Sequence, residues 1–143
     1  DRDAGVFDQL RLRGISEEVA MTARLIAHWL SFGPLILIAT LPASALLSLS
    51  GPTFWRLLAS LLAGTPGLAA IGLMTAALLA SLRGGTALAG LMLAPLAVPL
   101  VIFGAGHLAR VDMSGALFAG AFSLVLCAIA PFAAAAAIRA ARD

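Results

Sequence analysis

Charged residues are scarce in this chain, and lysine is absent. Only 11% of the 143 residues are charged, and all nine basic residues are arginine. Soluble domains typically contain about 25% charged residues. The net charge of +2, without a basic stripe interleaved with aromatic residues, gives no support to nucleic-acid binding.

Cysteine occurs once, and the motifs of catalysis and metal binding are missing. Cys127 has no second cysteine for a disulfide within this chain, and no CxxC motif or Cys/His zinc spacing is present. The sequence has no phosphate-binding loop ending in Gly-Lys-Ser or Gly-Lys-Thr. The apolar runs contain no paired carboxylates for a proton relay. These absences predict a chain that is not an enzyme, holds no metal and has no ATP site of its own.

Apolar residues dominate what is present. They make up 62% of the chain, and the mean hydropathy is +1.05, more than a soluble fold of this length can bury. Four apolar runs cover residues 25–50, 57–82, 86–106 and 116–138, and each is long enough to cross a bilayer as a helix. Alanine and leucine fill them without the alternation of a β-barrel. The prediction is an all-α membrane protein with four transmembrane helices in residues 25–143, preceded by a cytoplasmic segment, residues 1–24.

The arginines predict the orientation of these helices. Basic residues near helix ends favour the cytoplasmic side. Seven arginines fall on one side of the predicted bundle: Arg2, Arg11, Arg13, Arg24, Arg83, Arg139 and Arg142. Arg56 and Arg110 fall on the other side. Both ends of the chain are therefore expected in the cytoplasm, with Trp29 and Trp55 in the aromatic belts of opposite interfaces.

Helix-breaking residues lie inside the apolar runs. The stretch Gly64–Thr65–Pro66–Gly67 falls within the second run, and Pro95 and Pro99 fall within the third. Proline removes a backbone hydrogen bond and tends to kink a helix, and small residues let helices approach closely. We expect these residues, and the turn Arg83, Gly84, Gly85, to shape the bundle. One interpretation is packing alone. The other is that the kinked helices flex or line a dimer interface during a working cycle.

The first segment has the character of a surface helix. Phe7 and Leu10 share a face at helical spacing, whereas Asp8 and Arg11 lie elsewhere. The segment either lies along the membrane interface or docks a soluble partner. After it, Ser16 is the expected N-cap of a helix with two glutamates in its first turn.

Several stretches, taken together and in order, resemble one family. They are Gly5 with Asp8–Leu10, Ala27–Trp29, Gly64–Pro66, Arg83–Gly85, Pro95–Gly104 and Pro131–Arg139. The sequence resembles the haem exporter protein B (CcmB) family, the membrane permease subunit of the cytochrome c maturation ABC transporter. The likeness covers essentially the whole chain, and no single motif carries it.

The resemblance implies an architecture and a set of partners. The full protein would be an ABC-2-type permease bundle of six helices, of which this chain would be a C-terminal fragment lacking the first two. Its partners in the bacterial inner membrane would be an ATPase subunit that supplies ATP hydrolysis, other cytochrome c maturation subunits and a second copy. The first segment would be the coupling helix, contacting the ATPase through Gly5, Phe7, Asp8, Gln9 and Leu10.

The implied haem directs attention to possible ligands. His28, His107, Met113 and Cys127 carry suitable atoms, and the two histidines are the haem-ligand candidates. The alternative for His28 is a hydrogen bond between helices, for His107 an interfacial polar role, and for Cys127 a place in the core. Because the histidines are predicted near opposite membrane faces, they should not bind one iron together. No cofactor is assigned as bound by the chain itself.

The expected function is that of a permease coupling ATP hydrolysis by a partner to haem export or to release of haem from a chaperone. Two alternatives stand beside it. One is the permease of another ABC exporter, for a drug or a polysaccharide. The other is a membrane scaffold that transports nothing and holds haem-handling assembly factors together.

Overall fold

The computed structural model describes residues 12–81, 86–110 and 112–140, and within them the chain is helical. The four helices are α1 (Glu17–Leu46), α2 (Gly51–Ser81), α3 (Thr86–Ala109) and α4 (Ser114–Ala140). The predicted all-α class is confirmed. Among the described residues, α1, α2 and α4 are long and apolar enough to cross a membrane, and Ala94–Ala109 of α3 forms a shorter apolar helix.

Two helix starts show how local chemistry sets the boundaries. Ser16 caps α1 as predicted, since its hydroxyl accepts a hydrogen bond from the backbone N–H of Val19 at 3.4 Å. Helix α2 begins at Gly51, earlier than the predicted run at residue 57. Pro52 explains the difference, because the first turn of a helix needs no N–H donor and accepts proline readily. The connection expected over residues 50–56 is therefore mostly the first turns of α2.

Helix α2 is the centre of the bundle. It contacts α1, α3 and α4, whereas the described residues show no contact between α1 and α3. The core is rich in alanine: Ala69, Ala70, Ala119, Ala130, Ala134 and Ala135 are completely buried. Such small side chains allow helix backbones to approach closely, which is how helices associate in lipid.

The prolines lie within helices rather than in turns. Pro34, Pro42, Pro66, Pro95, Pro99 and Pro131 are all inside one of the four helices. The stretch Gly64–Gly67 is helical and sits near the middle of α2. A turn at this position is therefore excluded, as the length of the surrounding apolar run predicts.

Candidate functional site

The middle of α2 receives a polar contact from α1. The indole Nε1 of Trp29 donates a hydrogen bond to the Thr65 hydroxyl at 3.0 Å, and Thr65 is only 1% exposed. Gly33 makes room for the indole, because a Cβ at that position would lie 2.9 Å from Nε1. Trp29 is thus engaged between helices, a role that the aromatic-belt interpretation did not include. The contact joins two stretches that the sequence resemblance treats separately.

Helix α4 contacts the same part of α2 from another side. Gly67 lies against it, since a Cβ there would be 2.6 Å from the Ser123 hydroxyl and 3.1 Å from its Cα. The Ser123 hydroxyl donates to the Gly64 carbonyl at 3.4 Å, and the Cys127 thiol donates to the Pro66 carbonyl at 3.4 Å. The serine bond is long, whereas 3.4 Å is an ordinary distance for a thiol donor, and both bonds place polar atoms of α4 beside the proline.

The two glycines of this stretch differ in their surroundings. The close approach expected of both falls on Gly67, whereas a Cβ at Gly64 would meet nothing within 4 Å. Gly64 instead opens onto a groove between α2 and α3 with a volume of about 280 Å³. Its wall includes Ser60, whose hydroxyl donates to the Gly104 carbonyl at 3.2 Å. The remaining lining is mainly leucine and valine, so the groove is apolar.

His28 lies on the outside of the bundle. The residue is exposed, and its ring packs edge-to-face against Phe32, with 5.3 Å between the ring centroids. Its Nε2 rests over Gly72 of α2, where a Cβ would lie only 2.9 Å away. His28 thus lies at the edge of the α1–α2 contact, with part of its ring exposed.

His107 is buried in the bundle, and its alternative to a haem role, that of an interfacial polar residue, stays a prediction. It is 1% exposed, and its Nδ1 lies 3.0 Å from the Asp112 carbonyl oxygen. Because a carbonyl only accepts, Nδ1 carries the proton. Nε2 is buried without a hydrogen-bond partner among the described residues. Gly115 packs directly on this turn, so His107 closes the connection between α3 and α4.

The two histidines occupy different levels of the bundle. His28 lies beside Gly72, whereas the turn of α3 that carries His107 follows the contact between Ser60 and Gly104. At 1.5 Å per residue, these levels are roughly 20 Å apart along α2. One iron therefore cannot bind both. Of the other two candidates, Met113 is exposed in the connection before α4, and Cys127 lies against Pro66.

An ion-pair cluster joins α1 to α4 at the end of the bundle. The Arg139 guanidinium lies 2.5 Å from a carboxylate oxygen of Glu18 and 3.5 Å from one of Glu17. The hydrogen bond from Arg139 holds the pKa of the half-buried Glu18 carboxyl below its ordinary value of 4.5. These charges lie outside the apolar runs. The sequence pattern does not predict this pairing, although the arginines predict that both helix ends lie on the same side.

Other predicted site residues fall outside the described parts of the chain. Gly5, Phe7, Asp8, Gln9 and Leu10 precede residue 12, and Arg83, Gly84 and Gly85 lie between α2 and α3. Pro95 is exposed and Pro99 is half-buried on α3. Within the described residues, no group of three or more histidine, cysteine, aspartate or glutamate side chains is arranged to hold a metal ion.

The fold and this arrangement define a multi-pass helical membrane protein. A family model described as "CcmB protein" matches residues 1–141, and the chain belongs to that family. The resemblance read from the sequence is therefore confirmed.

Named relatives match over nearly the whole chain. "Heme exporter protein B" of Paracoccus denitrificans is 39% identical over 144 residues, which cover 97% of this chain and 66% of the relative. The protein of the same name from Rhodobacter capsulatus is 40% identical with the same coverage. That of Haemophilus influenzae is 37% identical and is covered to 65% of its length. The chain thus spans just under two thirds of the length of these relatives.

Proposed function

We propose that this chain is part of the permease subunit of an ABC transporter for cytochrome c maturation. The complex couples ATP hydrolysis to export of haem or to release of haem from a chaperone. The observation that carries the proposal is the match to relatives named "Heme exporter protein B" over 97% of the chain. The apolar, closely packed helices support a permease role.

The division of labour follows the sequence features. Residues 1–24 form a cytoplasmic coupling segment, and residues 25–143 form the transmembrane part, with residues 86–106 as a fourth span. Gly5, Phe7, Asp8, Gln9 and Leu10 contact a separate ATPase subunit, so this chain is not itself an enzyme. The protein lies in the bacterial inner membrane with both ends of this stretch in the cytoplasm. Other cytochrome c maturation subunits and a second copy complete the complex.

Haem is the handled species, and movement of the helices is the contribution of this chain. Prolines in α2 and α3, with the glycines beside them, provide the places where helix packing changes. His28 and His107 stay haem-ligand candidates. His28 is the more accessible of the two, because it is exposed whereas His107 is buried.

Gene deletion in a host that makes c-type cytochromes tests the function. We expect covalent haem staining of c-type cytochromes to disappear and to return with the full-length gene. Persistent staining without the gene would refute the proposal. A hydrolysis-dead ATPase partner separates a transporter from a scaffold, because a scaffold would still support maturation.

Replacement of the coupling residues tests the contact with the ATPase. Changing Asp8, Gln9 and Leu10 together to alanine should abolish co-purification of the ATPase subunit. The amount of full-length protein in the membrane should stay normal. Unchanged co-purification would show that the contact lies elsewhere.

A further inference from the structure

Helix α1 is attached to the bundle mainly along its first half. The buried residues of that half are Glu17, Ala20, Met21 and Leu25, and Gly33 lies just beyond its end. In the second half Thr40 is buried, and its hydroxyl bonds the Leu37 carbonyl of its own helix. Leu35 and Ile38 are more than 60% exposed. Movement of α1 therefore reaches the other helices through a short stretch of contacts.

Among the described residues, the Trp29–Thr65 hydrogen bond is a polar contact between α1 and α2 that lies within the apolar runs. Thr65 is almost fully buried, and the indole is directed at it by the space over Gly33. Hydroxyl and indole groups in an apolar interior are costly unless they are bonded. The pair therefore favours one spacing and one rotation of α1 relative to α2 at this level.

Thr65 lies next to the position where the backbone hydrogen bonding of α2 is interrupted by Pro66. Pro66 has no N–H, so the Leu62 carbonyl lacks its helical donor. Three polar side chains from two helices converge here: Trp29 on the Thr65 hydroxyl, Ser123 on the Gly64 carbonyl, and Cys127 on the Pro66 carbonyl. Helices α1 and α4 thus both engage the same turn of α2.

We propose that Gly64–Pro66, called the joint below, is the point at which helix α2 of the permease bends during transport. Trp29 is the positioning residue that passes movement of α1 to this point. The inference rests on the proposed function, because it places the joint one helix away from the coupling segment. In this proposal, the Thr65 hydroxyl is the hydrogen-bond acceptor through which α2 receives the movement of α1. The ion pairs of Arg139 hold the two helix ends together, but they do not reach the proline.

The test uses the full-length protein co-expressed with its ATPase partner. Trp29→Phe removes the donor, Thr65→Val removes the acceptor with little change of shape, and Thr65→Ser keeps the hydroxyl. Loss of a hydrogen bond between membrane helices changes an equilibrium constant by about three- to tenfold. We expect Trp29→Phe and Thr65→Val each to lower c-type cytochrome formed per ATP hydrolysed by about that factor, with ATPase co-purification retained. Thr65→Ser should restore most of the yield.

The double variant and fluorescence distinguish a joint from a general structural effect. Trp29→Phe with Thr65→Val should be no worse than the poorer single variant, because both remove the same bond. Thr65→Val should change tryptophan emission in the wild-type background and leave it unchanged in the Trp29→Phe background. The yield of c-type cytochrome is divided by the amount of complex recovered, so that poor assembly is not mistaken for uncoupling from ATP hydrolysis.

Failure of this inference is distinct from failure of the proposed function. If deletion of the gene abolishes c-type cytochromes but both single variants give normal yield per ATP, the joint is refuted and the function stands. Additive losses in the double variant also refute the joint. If deletion leaves cytochromes intact, the function itself is wrong and the inference falls with it.

Discussion

Helices α1 and α4 have similar lengths and apolar character but are held in different ways. Helix α4 is buried at intervals of three or four residues from Gly115 to Ile138. Its buried positions are mostly glycine, alanine and serine. At Ser123 it approaches α2 closely, since a Cβ at Gly67 would lie 3.1 Å from the Ser123 Cα. Helix α1 uses larger side chains, including Met21, Leu25 and Trp29, and leaves its second half exposed.

This difference indicates that α4 is packed into the core more firmly than α1. Contacts between small residues depend on the whole backbone surface, so one added methyl group disturbs them. Contacts made by large side chains depend on a few rotatable groups, which can yield individually. Helix α4 should therefore be sensitive to a methyl group, and the α1 contact should be tolerant. Glycine substitutions in the full-length protein test this contrast.

The largest loss is expected at Gly115. An added Cβ would lie 2.6 Å from both the His107 backbone nitrogen and the Phe103 carbonyl oxygen. Backbone atoms cannot rotate away, so Gly115→Ala should destabilise by about 3 kcal/mol, at the upper end for overpacking. Thermal unfolding in detergent measures the loss. Gly120→Ala is the control, because its Cβ would meet Ala63 at an ordinary 3.8 Å. Equal midpoints for the two variants would contradict the α3–α4 packing.

Gly67 and Gly64 form the next matched pair. Gly67→Ala brings a methyl group against Ser123 and Leu100, of which Leu100 can move. We expect a loss of about 1–2 kcal/mol. Gly64→Ala should be neutral in unfolding, because a Cβ there meets nothing within 4 Å. A clear loss at Gly64 would show that the groove between α2 and α3 is filled in the full complex.

The sequence was sufficient to predict the helices because charged residues clearly separate its apolar runs. Uncharged runs long enough to span a membrane, separated by arginines, leave few alternative positions for the helices. Ser16 followed by Glu17 and Glu18 marks a helix start. Helix α2 extends beyond the apolar run predicted to span the membrane, because residues 51–56 are helical although they include Pro52 and Arg56.

The contacts within the candidate site were less predictable. Alanine and leucine fill the helices so evenly that the sequence does not say which face of α2 meets α4, and hence whether Gly64 or Gly67 is enclosed. The partner of Trp29 lies 36 residues away. Burial of His107 depends on Asp112 and Gly115 packing back against it. These features depend on helix rotation, which the charge pattern does not encode.

A smaller effect is expected where α1 meets α2 at Gly72. A Cβ at this position would lie 2.9 Å from His28 Nε2, the end of a ring that can rotate outward. Gly72→Ala should therefore cost about 0.5 kcal/mol, below the usual overpacking range. Adding His28→Ala should remove the cost, since it removes the obstacle. A loss as large as that of Gly67→Ala would overturn the view that α1 is held by yielding side chains.

The smallest effect is expected at the ion pair between Arg139 and Glu18, whose side chains are 49% and 30% exposed. Partly exposed ion pairs contribute little and weaken with salt, so Glu18→Gln should lower the unfolding midpoint slightly at low salt and not at high salt. This change leaves Arg139 in place beside the buried Glu17. Because the folded-state pKa of Glu18 is below 4.5, its contribution is present above that pH and is lost as the pH falls through the folded pKa. Unfolding midpoints measured across that interval should converge for wild type and Glu18→Gln at the acidic end. Arg110→Gln, at the other end of the bundle, should show no such convergence, and a shared pH dependence would mean that Glu18 is not the titrating group.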